Sequence, residues 1–206
     1  MEGIVTEKEK MLLGKLYNAS DAELQKELKR CRKLTRLFNN STEEDIEYRS
    51  KLLKDLFGKV GENIFIEPTF RCDYGKNIYI GDNFAANYDC IILDVCKVEI
   101  GNNVMFGPNV SLMATNHPLI AHERVAMKYP DGHVSMSEYA DEIHIGNNVW
   151  VAANVVILGG VTIGDNAVIG AGSVVTKDIP ANYLAYGVPC KPIREITEQD
   201  SKIHLL

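Results

Sequence analysis

IGNNVW-VAANVV-ILGGVT-IGDNAV-IGAGSV-VTKD, residues Ile145 to Asp178, repeats every six residues. The first position of successive units is Ile145, Val151, Ile157, Ile163, Ile169 and Val175. The fifth is small or β-branched: Val149, Val155, Val161, Ala167, Ser173 and Ile179. Glycine recurs at the second position, at Gly146, Gly164 and Gly170. A period of six fits neither the helical repeat nor strand alternation. It is the signature of a hexapeptide parallel β-helix, in which three short strands make one triangular coil. Coils then stack at the strand-pairing distance of ~4.8 Å. One aliphatic side chain per unit is expected inside the prism, with Gly, Asn and Asp at the corners. An ordinary parallel sheet needs crossovers of about a dozen or more residues, and this stretch has none.

Outward from that block the repeat weakens and then breaks. Ile80-Gly81-Asp82-Asn83 and Ile100-Gly101-Asn102-Asn103 restate the unit, and Ile100, Phe106 and Leu112 continue it. Earlier, Ile64, Phe70 and Ile80 are inward candidates in an imperfect register. The period stops at Asn116-His117-Pro118 and resumes at Ile143. The loop between, 118–144, carries the turn signal Lys128-Tyr129-Pro130-Asp131-Gly132. A long excursion of this kind reads as functional. Its apolar Val125, Met127 and Tyr129 need cover, and the expected cover is a neighbouring chain. After Asp178, one short strand and a short terminal helix are expected.

Three capping boxes mark helices ahead of the repeats, at Thr6–Glu9, Ser20–Glu23 and Ser41–Glu44. The first helix should run to about Leu16. The second carries Leu24, Leu28, Cys31, Leu34 and Leu37 as a stripe, and the third stops at Gly58. The chain thus divides into a helical segment (1–60) packed on the solenoid, a β-helix (61–196) and a tail (197–206).

The 206 residues carry a formal charge of −6, which argues against a dedicated nucleic-acid binder. A hydrophobic share of 46% without a membrane-length apolar run reads as soluble and globular. MEGIVTEKEK lacks the apolar core of a signal peptide. Cys31, Cys72, Cys90, Cys96 and Cys190 form no CxxC pair and read as free thiols in a reducing cytoplasm. Cys90 and Cys96, one hexad apart, read as core fillers.

Five histidines are candidates for chemistry: His117, His122, His133, His144 and His204. His117 stands where the repeat ends, stiffened by Pro118, and imidazole is the side chain suited to a general base near neutral pH. A plain turn histidine has the same signature, so position alone leaves both readings open. No G-x-S-x-G elbow or papain-like cysteine context is present, which favours direct transfer over a covalent intermediate. A zinc site from His117, His133 and His144, as in γ-class carbonic anhydrases, is the competing use, although the spacing is not distinctive. Lys177, Lys191 and Arg194 are phosphate candidates beside the small residues Gly170–Ser173; corner glycines and solvated charges explain them equally well.

RCDYGKNIYIGDNF, ANYDCIILDVC, Asn-His-Pro and the block from Ile145 onward resemble the maltose and galactoside O-acetyltransferases, with the maltose branch nearer. The resemblance implies a mainly β, left-handed parallel β-helix with an N-terminal helical segment and a long protruding loop. It implies a homotrimer with sites between subunits, acetyl-CoA as donor, a sugar acceptor and no metal. The family's catalytic histidine falls on His117 and its supporting asparagine on Asn87. Asp73, Asn87 and Asp94 fall on the acceptor site, and Ala19 stands where the family has an aspartate. Donor contacts carry over to Ala153, Ala171, Thr176, Lys177, Lys191 and Arg194, with Trp150 beside the transfer site. The loop after His117 is longer than in most relatives. The resulting expectation is an acetyl-CoA-dependent sugar O-acetyltransferase. Other small acceptors (an antibiotic or a nodulation-type oligosaccharide) and a non-catalytic trimeric scaffold are the alternatives.

Overall fold

Each hexad buries two side chains. Ile145, Val151, Ile157, Ile163, Ile169 and Val175 are inside, and so are Val149, Val155, Val161, Ala167, Ser173 and Ile179. The expectation of one inward residue per unit therefore needs correction. Fifth and first positions flank a single outward residue, as Val149 and Val151 flank Trp150. Residues two apart on a strand share a face, so both point inward.

The computed structural model describes residues 5–125, 127–129, 132 and 134–206. The chain winds as a parallel β-helix of about six turns. One sheet stacks Lys59–Val60, Ile78–Ile80, Val98–Ile100, Ile143–Ile145 and Thr162–Ile163. A second begins with Phe65–Ile66, Ala85–Ala86, Met105–Phe106, Trp150–Val151 and Val168–Ile169. The third holds Arg71–Cys72, Ile91–Leu93, Ser111–Met113, Val156–Leu158 and Val174–Val175.

The corner after the first sheet is the regular one. Asn63, Asn83, Asn103, Asn148, Asn166 and Asn182 all sit there at φ between 56° and 64°. Each side-chain amide donates to the next asparagine, at 3.0, 2.8, 2.9, 2.8 and 2.8 Å in turn. Asparagine tolerates this left-handed backbone better than other side chains. Beside the ladder, Asp82, Asn102, Asn147 and Asp165 each accept a backbone N–H from the coil below. A Cβ on Gly81 would stand 2.4 Å from the Asn102 side-chain oxygen, which is why the unit reads Ile-Gly-Asp/Asn-Asn.

The corner after the third sheet is the irregular one. Early coils take 20 residues and a later one takes 18. The surplus lies between Cys72 and Ile78, and again between Ile92 and Val98. Of the early inward candidates, Phe70 and Ile80 are buried and Ile64 is partly buried beside the buried Ile66, and this insertion separates Phe70 from Ile80 by more than one hexad. Asp94 organises the insertion. Its Oδ1 accepts the Asp73 and Tyr74 amides at 3.0 and 2.9 Å, and its Oδ2 accepts that of Asn77 at 3.2 Å. Asp94 has no exposed surface. It is therefore corrected from an acceptor contact to the residue that shapes the turn bearing Asp73. Burial pushes its carboxyl up to about 7, against the pull of those amides.

The third coil uses the same corner for the long excursion. Helix α1 (Glu7–Leu12), α2 (Ala22–Asn39) and α3 (Ile46–Leu56) precede the coils, and α4 (Ala121–Arg124) starts within the excursion. Met127–Lys128 then pairs with Val134–Ser135. Ser137–Ala140 pairs antiparallel with Tyr17–Asn18 on one side and Thr115–Asn116 on the other. The Tyr129 hydroxyl donates to the Tyr17 carbonyl at 2.9 Å. Tyr129 thus finds a hydrogen-bond partner within its own chain, on the N-terminal strand.

The helices form where the capping signals lie, with shifted ends. Thr6 and Glu9 make a reciprocal box, but α1 stops at Leu12 because Gly14 turns the chain at φ 66°. Asp21, not Ser20, caps α2. Thr42 and Asp45 close a turn ahead of α3, which has no side-chain cap. Leu24, Cys31, Phe38, Leu52, Leu53 and Leu56 are buried, whereas Leu37 and Ile46 stay exposed. Gly58 lies beyond the Phe57 cap, and its Cβ would meet the Lys76 carbonyl at 2.2 Å. The C-terminus is a hairpin, Tyr183–Gly187 with Cys190–Glu195, followed by two single 3-10 turns in place of the expected helix.

Replacing Asn103 by Ala should cost about 2–3 kcal/mol, from left-handed strain and lost ladder bonds, whereas Asn103→Gly should cost about 1 kcal/mol. Urea unfolding midpoints separate the two. For Asp94, the folded carboxyl lies above its ordinary 3.8, so the native state holds the extra proton between about 4 and about 7. Its contribution to stability falls as pH rises through that window and is level above it. Wild type should therefore lose stability relative to Asp94→Asn between pH 4 and 7, measured by urea unfolding at each pH.

Candidate active site

His117 follows the strand Thr115–Asn116 at the irregular corner, with its side chain exposed. Its Nδ1 lies 2.9 Å from the Ser137 carbonyl oxygen. A carbonyl only accepts, so Nδ1 carries the hydrogen, and in the neutral ring Nε2 is the nitrogen with the lone pair. The ring is thereby oriented with an acceptor nitrogen turned away from its anchor, as a general base requires.

The anchor is itself held. Ser137 is fully buried and pairs with Asn18, and the next residue, Glu138, pairs with Tyr17. The Tyr17 hydroxyl donates to Glu138 Oε2 at 2.7 Å. Asp73 adjoins this group. Burial pushes its carboxyl up to about 6, with the Glu138 charge adding to the rise and Arg32 opposing it. The Tyr74 hydroxyl is likewise pushed up, by burial first and by the Asp73 and Glu138 charges after it, so it stays protonated at neutral pH. Asp73 and His117 therefore share one corner, while Asp94 sits beneath it as scaffolding. Tyr17, Ser137 and Glu138 escaped the sequence reading, and Tyr129 entered it only as a loop residue needing cover, since none of them lies in the hexad period. Ala19, where the family has an aspartate, is packed against the core.

Asn87 lies elsewhere in the chain. It precedes the strand Ile91–Leu93, at the opposite edge of the third sheet from His117, and its side chain accepts the Tyr88 amide at 2.8 Å. Ala153 and Ala171 follow the second-sheet strands Trp150–Val151 and Val168–Ile169, and so lie on the Asn87 edge. Backbone bonds from Asn109 to Tyr88, Asn154 to Pro108 and Gly172 to Ala153 stack that edge coil on coil. A Cβ on Gly107 would meet the Ala153 amide nitrogen at 2.7 Å, so the wall there is tightly apposed. Thr176 and Lys177 are exposed at the end of Val174–Val175, on the His117 edge. Trp150 points outward from the second sheet, half exposed between Met105 and Val168.

Lys191 and Arg194 lie on the C-terminal hairpin opposite Tyr186 and Leu184. Both terminal nitrogens of Arg194 engage the Asp200 carboxylate, at 2.7 and 2.5 Å. That pairing holds Asp200 well below the usual carboxylate range, and the Thr197 amide adds to it. His144, a zinc candidate, faces outward on the first sheet with Glu142 at 3.0 Å and Glu99 at 3.4 Å. His133 lies outside the described residues. His122 belongs to α4.

A cavity of about 460 Å³ lies under α3, and a groove of about 730 Å³ runs over the first sheet. His117 lines neither. The five cysteines are unpaired and buried.

Residues 10–61 match the maltose acetyltransferase hexapeptide capping motif, and residues 142–177 match the bacterial transferase hexapeptide with its six repeats. A galactoside O-acetyltransferase of Escherichia coli (strain K12) is 46% identical over 192 residues, covering 93% of this chain and 90% of that protein. The crystal structure of a maltose O-acetyltransferase from Clostridium difficile 630 is 54% identical, with a TM-score of 0.87 over 95% of this chain and 100% of that one. A galactoside acetyltransferase in complex with coenzyme A is 45% identical, with a TM-score of 0.87 over 96% of this chain and 94% of that one. A hexapeptide solenoid behind a matching capping segment, 45–54% identical to these enzymes over nearly its whole length, belongs to the maltose and galactoside O-acetyltransferase family.

Proposed function

We propose that the protein transfers acetyl from acetyl-CoA to a hydroxyl of a sugar, with His117 as general base. One observation carries the reading: the Ser137 carbonyl fixes Nδ1–H and leaves Nε2 of the neutral ring available at an exposed corner. The relative that binds coenzyme A supports the donor, and the galactoside and maltose enzymes support a sugar acceptor.

In this mechanism Nε2 takes the proton from the acceptor hydroxyl. The oxygen attacks the thioester carbonyl carbon, and a backbone N–H or the Asn87 amide steadies the oxyanion. The C–S bond then breaks, and the CoA thiolate recovers the proton from His117. Asp73 and Asn87 orient the sugar. Trp150, Ala153, Ala171, Thr176, Lys177 and Lys191 flank the donor, and Arg194 joins them where Asp200 releases it. No metal takes part. The enzyme works in the cytoplasm, consistent with its unpaired thiols.

The edge-to-edge separation of His117 and Asn87 supports a homotrimer. The donor residues also divide between those two edges, so one chain supplies half of each site and its neighbour the other half. Phe65, Met105 and Trp150 stand about half exposed in one row of the second sheet, in register with Ala85 and Val168. That apolar row is the kind of surface that association covers.

His117→Ala should lower kcat by roughly 10²–10⁴ with the oligomer intact. Near-normal turnover at saturating acceptor would refute the assignment. Direct transfer also predicts intersecting initial-rate lines and no acetyl adduct after incubation with acetyl-CoA alone. A stoichiometric, turning-over acetyl-cysteine in the mass spectrum would replace this mechanism with a covalent one.

A further inference from the structure

The proposed base depends on a carbonyl that belongs to no hexad. Ser137 lies in the excursion, and its position is set by contacts from three separate segments. The Asn18 backbone pairs with it, Asn116 pairs one strand over with Tyr139, and the Tyr129 hydroxyl reaches its side chain. Tyr129 is the link that the repeat pattern gives no reason to expect.

Its geometry is that of a clamp. The Tyr129 hydroxyl donates its hydrogen to the Tyr17 carbonyl at 2.9 Å. It also lies 3.2 Å from Ser137 Oγ. Since the tyrosine hydrogen is committed to a carbonyl, the serine hydroxyl is the donor in that second bond. One oxygen therefore ties the N-terminal strand to the residue whose carbonyl holds His117. Ser137 is fully buried, so losing this acceptor exposes a desolvated hydroxyl to the search for a new partner. The Tyr17–Glu138 bond at 2.7 Å fixes the neighbouring residue, and among the described residues the Ser137 hydroxyl meets Tyr129.

We infer that Tyr129 is a positioning residue for His117, acting through Ser137 to set the ring's tautomer and direction. The catalytic consequence rests on the proposed role of His117 as base; the structural consequence does not. The long excursion thus serves its own chain's histidine.

The test is Tyr129→Phe, which keeps the ring and removes the one oxygen, with Ser137→Ala as a second variant that removes the other hydroxyl and keeps the carbonyl. The full-length protein is labelled with ¹⁵N-histidine, and the His117 signal is assigned by its loss in His117→Ala. In wild type the shifts should report a protonated Nδ1 and an unprotonated Nε2. In both variants they should move toward averaged tautomers while thermal unfolding stays cooperative. The kcat should fall by about tenfold, the worth of one hydrogen bond, with KM for acetyl-CoA unchanged. Wild-type ¹⁵N shifts in both variants would overturn the inference, whatever the rates. Altered shifts with unchanged kcat would uphold the positioning role and overturn His117 as the base.

Discussion

The corner after the first sheet is the constraint on which this structure depends. A coil can stack on the next only if every corner lets two backbones approach within a strand spacing. Here a left-handed asparagine and a side-chain-free glycine make that possible. The asparagine amides then bond to one another from coil to coil, so that the residue required by backbone geometry also welds the stack. With that edge fixed, the first and fifth side chains of each unit have nowhere to go but inward.

Because one corner is rigid, another is free to vary. Insertions occur repeatedly at the corner after the third sheet: the turns that follow Cys72 and Ile92, and the whole excursion after Met113. Asp73 and His117 are both products of this freedom, one in each kind of insertion. Asp94 shows the cost of such variation. A turn that leaves the hexad geometry has amides without coil partners, and a buried carboxylate is the compact way to satisfy three of them. The same burial that makes Asp94 a good scaffold raises its proton affinity and keeps it from any ligand.

The proposed site residues therefore lie on the margin between repeat and non-repeat. The coils supply two long parallel edges with fixed spacing, one bearing Asn87, Ala153 and Ala171 and the other bearing Asp73, His117 and Thr176. The excursion and the N-terminal strand supply what coils cannot, a backbone carbonyl aimed at an imidazole. A helical cap that first looks like a plug for the end of the solenoid is thus coupled, through Tyr17 and Asn18, to the histidine two coils away in the winding.

The sequence by itself determined the solenoid, because a six-residue period repeated through Ile145–Asp178 leaves a single way to bury its aliphatic side chains. It determined the capping signals at Thr6–Glu9, and it singled out His117 as the place where the period ends. It picked Phe70 and Ile80 as buried but left the early register imperfect, since a two-residue insertion after Cys72 is invisible until the strands are paired. It also gave Asp94 to the acceptor site by resemblance and did not foresee that the Tyr129 hydroxyl meets the Tyr17 carbonyl, because neither burial nor the partner of a loop side chain is written in local spacing. Only the tertiary structure decided that Ser137, twenty residues beyond His117, presents the carbonyl that orients it. That contact is made by an antiparallel strand whose register is set by Tyr17–Asn18, more than a hundred residues away in the chain, and no periodicity connects the two.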